Sequence, residues 1–219
     1  VAGDDSTRFR LTVVGEALRL FSEKGYEATT VDDIARAAGI SRRTFFRQFR
    51  AKEDVVFADH EILLARAADF LAGSHDDPWD AVCDAAVLVY DGFTQWRDVA
   101  RSRYDVVREV AALRDREIVT IFRYERLFAD YLRSAMPDAP DLAVVQFAAS
   151  VTATHNFLLR RMLRDGVRIT SSDVRSALAD VSRGAAEPES DDDVIVAVFP
   201  RGTAPRRVAQ LLQQKLERS

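Results

Sequence analysis

Cysteine is almost missing from this chain: Cys83 stands alone among 219 residues. One cysteine excludes an intramolecular disulfide and fits a reducing compartment. Its neighbours Val82, Ala85 and Ala86 mark it as a small core residue rather than a redox sensor. Histidine is scarce too, and His60, His75 and His155 lie far apart, without a second ligand at zinc-site spacing. There is no glycine-rich phosphate loop, no G-x-S-x-G, and no cysteine with a marked catalytic partner. The chain is therefore read as a non-enzyme with no cofactor and no metal. No apolar run approaches the roughly 18 residues that span a bilayer, and the N-terminus carries no signal-peptide pattern, so a cytoplasmic protein is expected.

What is present is an ordinary globular composition, 47% hydrophobic and 30% charged. The net charge of −4 argues against a protein that coats nucleic acid without selectivity. Apolar residues recur at helical spacing through most of the chain, so the expected fold is all-α. A first helix is expected over Thr7–Lys24, closed by Gly25, with Val1–Ser6 frayed or acting as an arm. Thr30 and Asp33 form a capping pair ahead of the next helix. Further helices are expected over Lys52–Ala72, from Pro78 after the capping Asp77, Arg97–Val107, Leu113–Ala135, Asp141–Arg164 before Gly166, and Asp173–Gly184 capped by Ser171 or Ser172. In the helix over 113–135, Ile118, Ile121, Phe122, Leu127, Phe128 and Leu132 are the expected buried side. Residues 187–193 read as an acidic linker, Val194–Phe199 as a short strand that pairs with its counterpart in a second subunit or packs as an arm, and Thr203–Leu216 as a final helix.

The most informative stretch is Thr29–Lys52. Val31, Ile34 and Ala35 give a short helix an apolar face. Gly39 follows its last periodic residues, where a left-handed φ is needed, and Ser41 can cap a second helix. Ala35 and Gly39 also suggest a close approach of the two helices. Phe45 and Phe49 share one face of the second helix, while Arg42, Arg43, Phe46 and Arg47 occupy the others. No acidic residue lies between Ile34 and Lys52, but Arg36, Arg42, Arg43, Arg47, Arg50 and Lys52 do. A local basic island on turn-linked helices is the pattern of a helix-turn-helix that neutralises phosphates and enters a major groove. Arg42, Arg43, Thr44 and Arg47 are the foremost expected DNA contacts, by guanine pairing or thymine-methyl contact, and Phe46 is counted with them. Thr30 and Lys52 are expected to hold phosphates.

The run Val13–Val55 resembles the N-terminal DNA-binding domain of TetR-family transcriptional regulators. The resemblance rests on Phe21, Gly25-Tyr26, Thr29-Thr30-Val31, Ile34-Ala35, Ala38-Gly39-Ile40-Ser41, Thr44, Phe49 and Lys52-Glu53, and covers about a fifth of the chain. Three positions depart from the family pattern: Arg43 for the usual Gly, Phe46 for Tyr and Gln48 for His. Phe46 has no hydroxyl to offer a phosphate; Arg43 adds a charge or a base contact. The resemblance implies a DNA-binding domain over residues 7–50 and a helical ligand-binding and dimerisation domain over 51–186; residues 187–219, from their own composition, read as an acidic linker with a C-terminal extension. The resemblance also implies a homodimer on a palindromic operator, most often a repressor, released by a small effector.

For the second half the residues themselves say less. The helix over 141–164 is apolar nearly all round, so its own domain and either a symmetry mate or further core must cover it. Thr152, Thr154, His155 and Asn156 sit among its apolar residues and need partners, a ligand or the core itself. Trp96, Tyr104, Phe122 and Phe128, with Thr152 and His155, are the candidate pocket for a small apolar or aromatic effector. The rival readings are a ligand-independent DNA-binding adaptor or architectural protein, and an all-α enzyme with an incidental helix-turn-helix.

Overall fold

The computed structural model describes residues 2–186, and every regular element among them is an α-helix. The expected linker over 187–193, strand over 194–199 and helix over 203–216 lie outside the described residues. The helices are α1 (Ala2–Lys24), α2 (Val31–Ala37), α3 (Arg42–Gln48), α4 (Lys52–Val56), α5 (Ala58–Leu71), α6 (Pro78–Gln95), α7 (Arg97–Glu109), α8 (Ala111–Ala135), α9 (Asp141–Asp165) and α10 (Ser171–Ala186).

Local chemistry sets most boundaries. Asp77 accepts hydrogen bonds from the peptide N–H groups of Trp79 (2.7 Å) and Asp80 (3.1 Å), ahead of Pro78 at the first helical position. Gly25 and Gly166 end α1 and α9 at φ 85° and 67°, a region that penalises any Cβ. Four expectations change. The backbone is helical from Ala2, so the first residues are not frayed chain. The cap of α10 is Thr170, whose hydroxyl accepts from Asp173 N–H at 3.2 Å, not Ser171 or Ser172. The single helix expected over Lys52–Ala72 is broken at Phe57 (φ −110°, ψ 15°), where a buried ring anchors the chain. On α8, Phe128 and Leu132 are buried as expected, but Ile118 and Phe122 are 53% and 59% exposed, and the buried stripe continues through Leu113, Thr120 and Tyr124.

Two apolar clusters organise the described chain. The first joins Val13, Val14, Leu18 and Phe21 of α1 to Ile34, Phe45, Phe49, Val55 and Phe57. It also takes in Val106 and Val107 of α7 and Leu113 of α8. Burial of a Phe or Leu side chain here is worth about 1.5–3 kcal/mol, so the short α2 and α3 are held by tertiary packing rather than by helix propensity. The second cluster fills the space among α5, α6, α8, α9 and α10, around Leu63, Tyr90, Phe93, Phe128, Leu132, Val151 and Leu178. Cys83 is buried in it, and its thiol is pushed up to about 12, first by burial. α5 and α6 cross closely at Gly92, where an added Cβ would lie 2.1 Å from Leu63 Cδ2.

The inner stripe of α9 (Val144, Phe147, Ala148, Val151, Leu159, Met162) is buried. Its outer side exposes Leu142 at 67% and Phe157 at 64%. By length and composition α9 is apolar enough to cross a membrane, a stretch the sequence was not expected to contain. Such helices also form the core of bundles, which is the use its buried stripe has here.

Candidate nucleic-acid interface and interior cavity

α2 opens with a complete capping box. Thr30 Oγ1 accepts from Asp33 N–H at 3.1 Å, and the Asp33 carboxylate takes the Thr30 N–H at 3.1 Å. The Thr30 hydroxyl also donates to that carboxylate at 2.6 Å, and this bond first, then the one from the Thr30 N–H, holds the Asp33 carboxyl below its ordinary range. α2 closes with a Schellman turn: Gly39 N–H donates to Arg36 O (3.2 Å), and Ile40 N–H reaches Ala35 O (2.9 Å). Gly39 has φ 66°, and a Cβ there would meet nothing within 4 Å. Gly39 therefore serves the turn's handedness, not a close approach of helices. Ser41 then caps α3, accepting Thr44 N–H at 3.0 Å, with the Thr44 hydroxyl 3.0 Å from its own.

Inside, Phe45 is fully buried and stacks on Phe49 at 5.2 Å between ring centroids. This fixes which face of α3 meets solvent. Arg42, Arg43, Phe46 and Arg47 are on that face, and Phe46 is 45% exposed. Arg42 is not free: it donates to both oxygens of Asp32 (2.8 and 2.9 Å) and lies over the Phe46 ring at 5.3 Å. Arg43 and Arg47 have no ion pair or hydrogen-bond partner among the described side chains. Thr30 is committed to its capping box and Thr44 to Ser41.

Lys52 departs most from expectation. Its ammonium donates to the carbonyls of Tyr26 (2.7 Å) and Thr29 (3.1 Å) and sits 3.9 Å from the Tyr26 ring centroid. Two of its three N–H donors thus tie the loop after α1 to the start of α4, so its first duty is structural rather than to hold phosphate. Glu53 accepts from the Tyr26 hydroxyl and is held low by that bond, while burial first and Glu53 second push the Tyr26 phenol up. Asp54 completes the joint, accepting N–H bonds from Arg50 and Ala51 and a 2.8 Å bond from Arg116. Sequence reading missed Asp54 and Arg116, because their pairing spans 62 residues.

Of the six residues proposed for a pocket, the fold brings three together. Phe128, Thr152 and His155 line a narrow cavity with His60, Phe93, Tyr124 and Asn156. Its volume is about 20 Å³, room for one water-sized molecule. The others are elsewhere. Trp96, at the end of α6, lies under the Arg66 guanidinium (5.2 Å), Tyr104 packs with Arg108 (5.4 Å), and Phe122 faces solvent. A larger opening of about 800 Å³ is an open surface groove lined by Arg66, Asp69, Asp84 and Arg175, and it shares no lining residue with the narrow cavity.

The small cavity is chemically the more telling of the two. His60 Nε2, Thr152 Oγ1 and His155 Nε2 are buried without a hydrogen-bond partner. Burial pulls the His60 imidazole from 6.5 to about 3, with His155 adding to the effect, and burial takes His155 to about 4. Both rings are therefore neutral near pH 7.

Behind the cavity lies a feature no periodicity could disclose. Asp59 (0% exposed) and Arg103 (4%) form a fully buried ion pair between α5 and α7. The guanidinium lies over Phe93, 5.0 Å from its centroid, and Asp59 accepts the His60 N–H at 2.9 Å. Burial takes Arg103 down to about 10, so it stays charged near neutrality. The pair thus touches two cavity residues, and α7 carries Val106 and Val107 on into the N-terminal core.

Comparison with known proteins agrees with this geometry. Residues 14–58 match the family of bacterial regulatory proteins, tetR family. Over 130 residues the chain is 35% identical to the HTH-type transcriptional regulator TcmR of Streptomyces glaucescens, spanning 58% of this chain and 53% of that protein. The chain spans about half, or less, of the length of the curated relatives it matches. A TetR-family regulator from Syntrophomonas wolfei shares the fold, with TM-score 0.62 and 20% identity over 83% of this chain and 97% of that one. So does Thermus thermophilus FadR, a TetR-family repressor solved with lauroyl-CoA, with TM-score 0.52 and 20% identity over 88% and 100%.

Proposed function

We propose that this chain, a member of the TetR family of transcriptional regulators, is a repressor that binds a palindromic operator as a homodimer and releases it when a small effector enters the helical domain. One observation carries the reading. α3 offers Arg43 and Arg47 to solvent without a protein partner, on a face fixed by the burial of Phe45 and Phe49. Unpaired guanidiniums lose nothing inside the protein when they meet guanine edges or phosphates. Arg42 must exchange Asp32 for DNA, so it contributes less. Phe46 offers apolar contact, and Thr30 and Lys52 serve chiefly to hold the motif.

A second copy is the partner that the outer side of α9 suits. Leu142, Val145 and Phe157 are apolar and exposed there, and packing them with the mate's α9 and α10 would form a four-helix interface. Two reading heads in successive major grooves stand about 34–36 Å apart. An effector acts only through its differential affinity for the DNA-competent and released states. The Asp59–Arg103 pair is the joint through which displacement of His60 or Phe93 would reach α7 and the N-terminal core. The narrowness of the cavity favours the alternative, a DNA-binding adaptor without an effector. Unchanged operator affinity across a broad panel of small molecules would decide for it.

Arg43→Ala tests the central claim. Operator affinity measured by fluorescence anisotropy is expected to fall by about 1–3 kcal/mol, with a smaller loss on random DNA. Equal losses on both would mean that Arg43 reads no base.

A further inference from the structure

The cavity among α5, α6, α8 and α9 is lined by no Lys, Arg, Asp or Glu. The charges nearest it among the described residues, Asp59 with Arg103 and Glu61 with Arg123, are each paired with an opposite charge. A carboxylate or phosphate placed there would be desolvated without a counter-charge, which costs several kcal/mol. A cation fares no better, because the Arg103 guanidinium already lies over Phe93, one of the cavity's aromatic rings. Yet the walls are not inert: three side chains that line it, from two helices, carry buried polar atoms without a hydrogen-bond partner.

Their donor and acceptor character can be worked out. The single Tyr124 hydroxyl proton goes to His60 O at 3.1 Å. The 3.4 Å contact between that hydroxyl and His60 Nδ1 then has Nδ1 as the donor. With the ring neutral, His60 Nε2 is left as a bare acceptor. It needs a donor from whatever enters. The Thr152 hydroxyl can donate in return, and His155 Nε2, on a ring that also bonds Asn156, offers one further hydrogen-bond position.

We propose that this cavity recognises an uncharged aromatic molecule bearing a hydroxyl group, its ring among Phe93, Tyr124 and Phe128 and its hydroxyl held by His60, Thr152 and His155. The proposal rests on the effector reading above and names the chemistry that reading leaves open. A ring is larger than the present space, so its entry needs a lining side chain to move, and the half-buried Ile121 is the least enclosed of the apolar ones.

Four probes of one size separate the possibilities on the full chain: phenol, toluene, benzoate and benzylammonium, with affinities from calorimetry. Phenol is expected to bind, both ions to bind at least tenfold more weakly, and the ¹⁵N signal of His60 Nε2 to shift with phenol alone. The phenol-to-toluene affinity ratio is expected to drop about tenfold, roughly 1.4 kcal/mol, in the isosteric Thr152→Val and again in His155→Phe. A ratio cancels any general loosening of the domain. Ions that match phenol, a ratio unchanged in both variants, or no binding by any probe because the cavity holds water only, would each overturn the proposal. Operator release is measured separately. Phenol binding with unaltered operator affinity would uphold the recognition chemistry and overturn the effector role.

Discussion

Replacing Arg103 by Met leaves Asp59 as a carboxylate with no accessible surface and one remaining hydrogen bond, from the His60 N–H. Removing one partner of such a pair costs about 3–5 kcal/mol, because the stranded charge keeps its desolvation penalty. Loss of the guanidinium from the Phe93 face adds about 1 kcal/mol. Against a typical domain stability of about 5–15 kcal/mol this is a large fraction, enough to unfold a marginal chain. Asp59→Leu is expected to be damaging in the mirror sense, leaving the guanidinium unpaired. The double variant Asp59→Leu/Arg103→Met removes both charges, so it is expected to recover most of the loss and to match or exceed the parent. Urea unfolding followed by far-UV circular dichroism gives all four corners of the cycle, with a coupling energy above about 2 kcal/mol expected. Single variants that lose under about 1 kcal/mol, or a double variant as damaged as the two losses added, would refute the reasoning.

Gly92→Ala is expected to destabilise by about 1–3 kcal/mol, since its Cβ would collide with Leu63, and Leu63→Val should recover part of that in thermal melts. Gly39→Ala is expected to cost about 1–2 kcal/mol through its positive φ alone, whereas Gly15→Ala, in the interior of α1 with open space around it, should stabilise by up to about 1 kcal/mol; equal effects would contradict the turn's role. Stability should also fall between pH 6.5 and 5. His60 and His155 titrate near 3 and 4 in the folded chain and near 6.5 when unfolded, so the unfolded chain takes up more protons there. Their contribution is fully present above 6.5 and is lost as pH falls, at up to about 1.4 kcal/mol per pH unit for each ring. The shifted carboxylates titrate lower, so a urea midpoint that is flat from pH 7 to 5 would refute the neutral burial of both histidines.

Where the signal is local, the residues by themselves determined the outcome. The Thr30 box, the Gly39 turn, the Ser41 and Asp77 caps, and the split of α3 into a Phe45–Phe49 inside and an arginine-bearing outside each depend on side chains within about one helical turn. The all-α class followed from the same periodicity. Tertiary structure alone decided the rest. Phe122 and Phe128 share a helix and an apolar character, yet one is exposed and the other lines the cavity, because periodicity cannot say which arc of α8 meets its neighbours. Lys52 looked like a phosphate ligand until its ammonium met two carbonyls more than twenty residues back. His60 was one of three scattered histidines until α5 set it opposite His155 and beside the Asp59–Arg103 pair. A buried charge or an unpartnered polar atom gains its meaning from groups that sequence distance hides, and only packing brings those groups within reach.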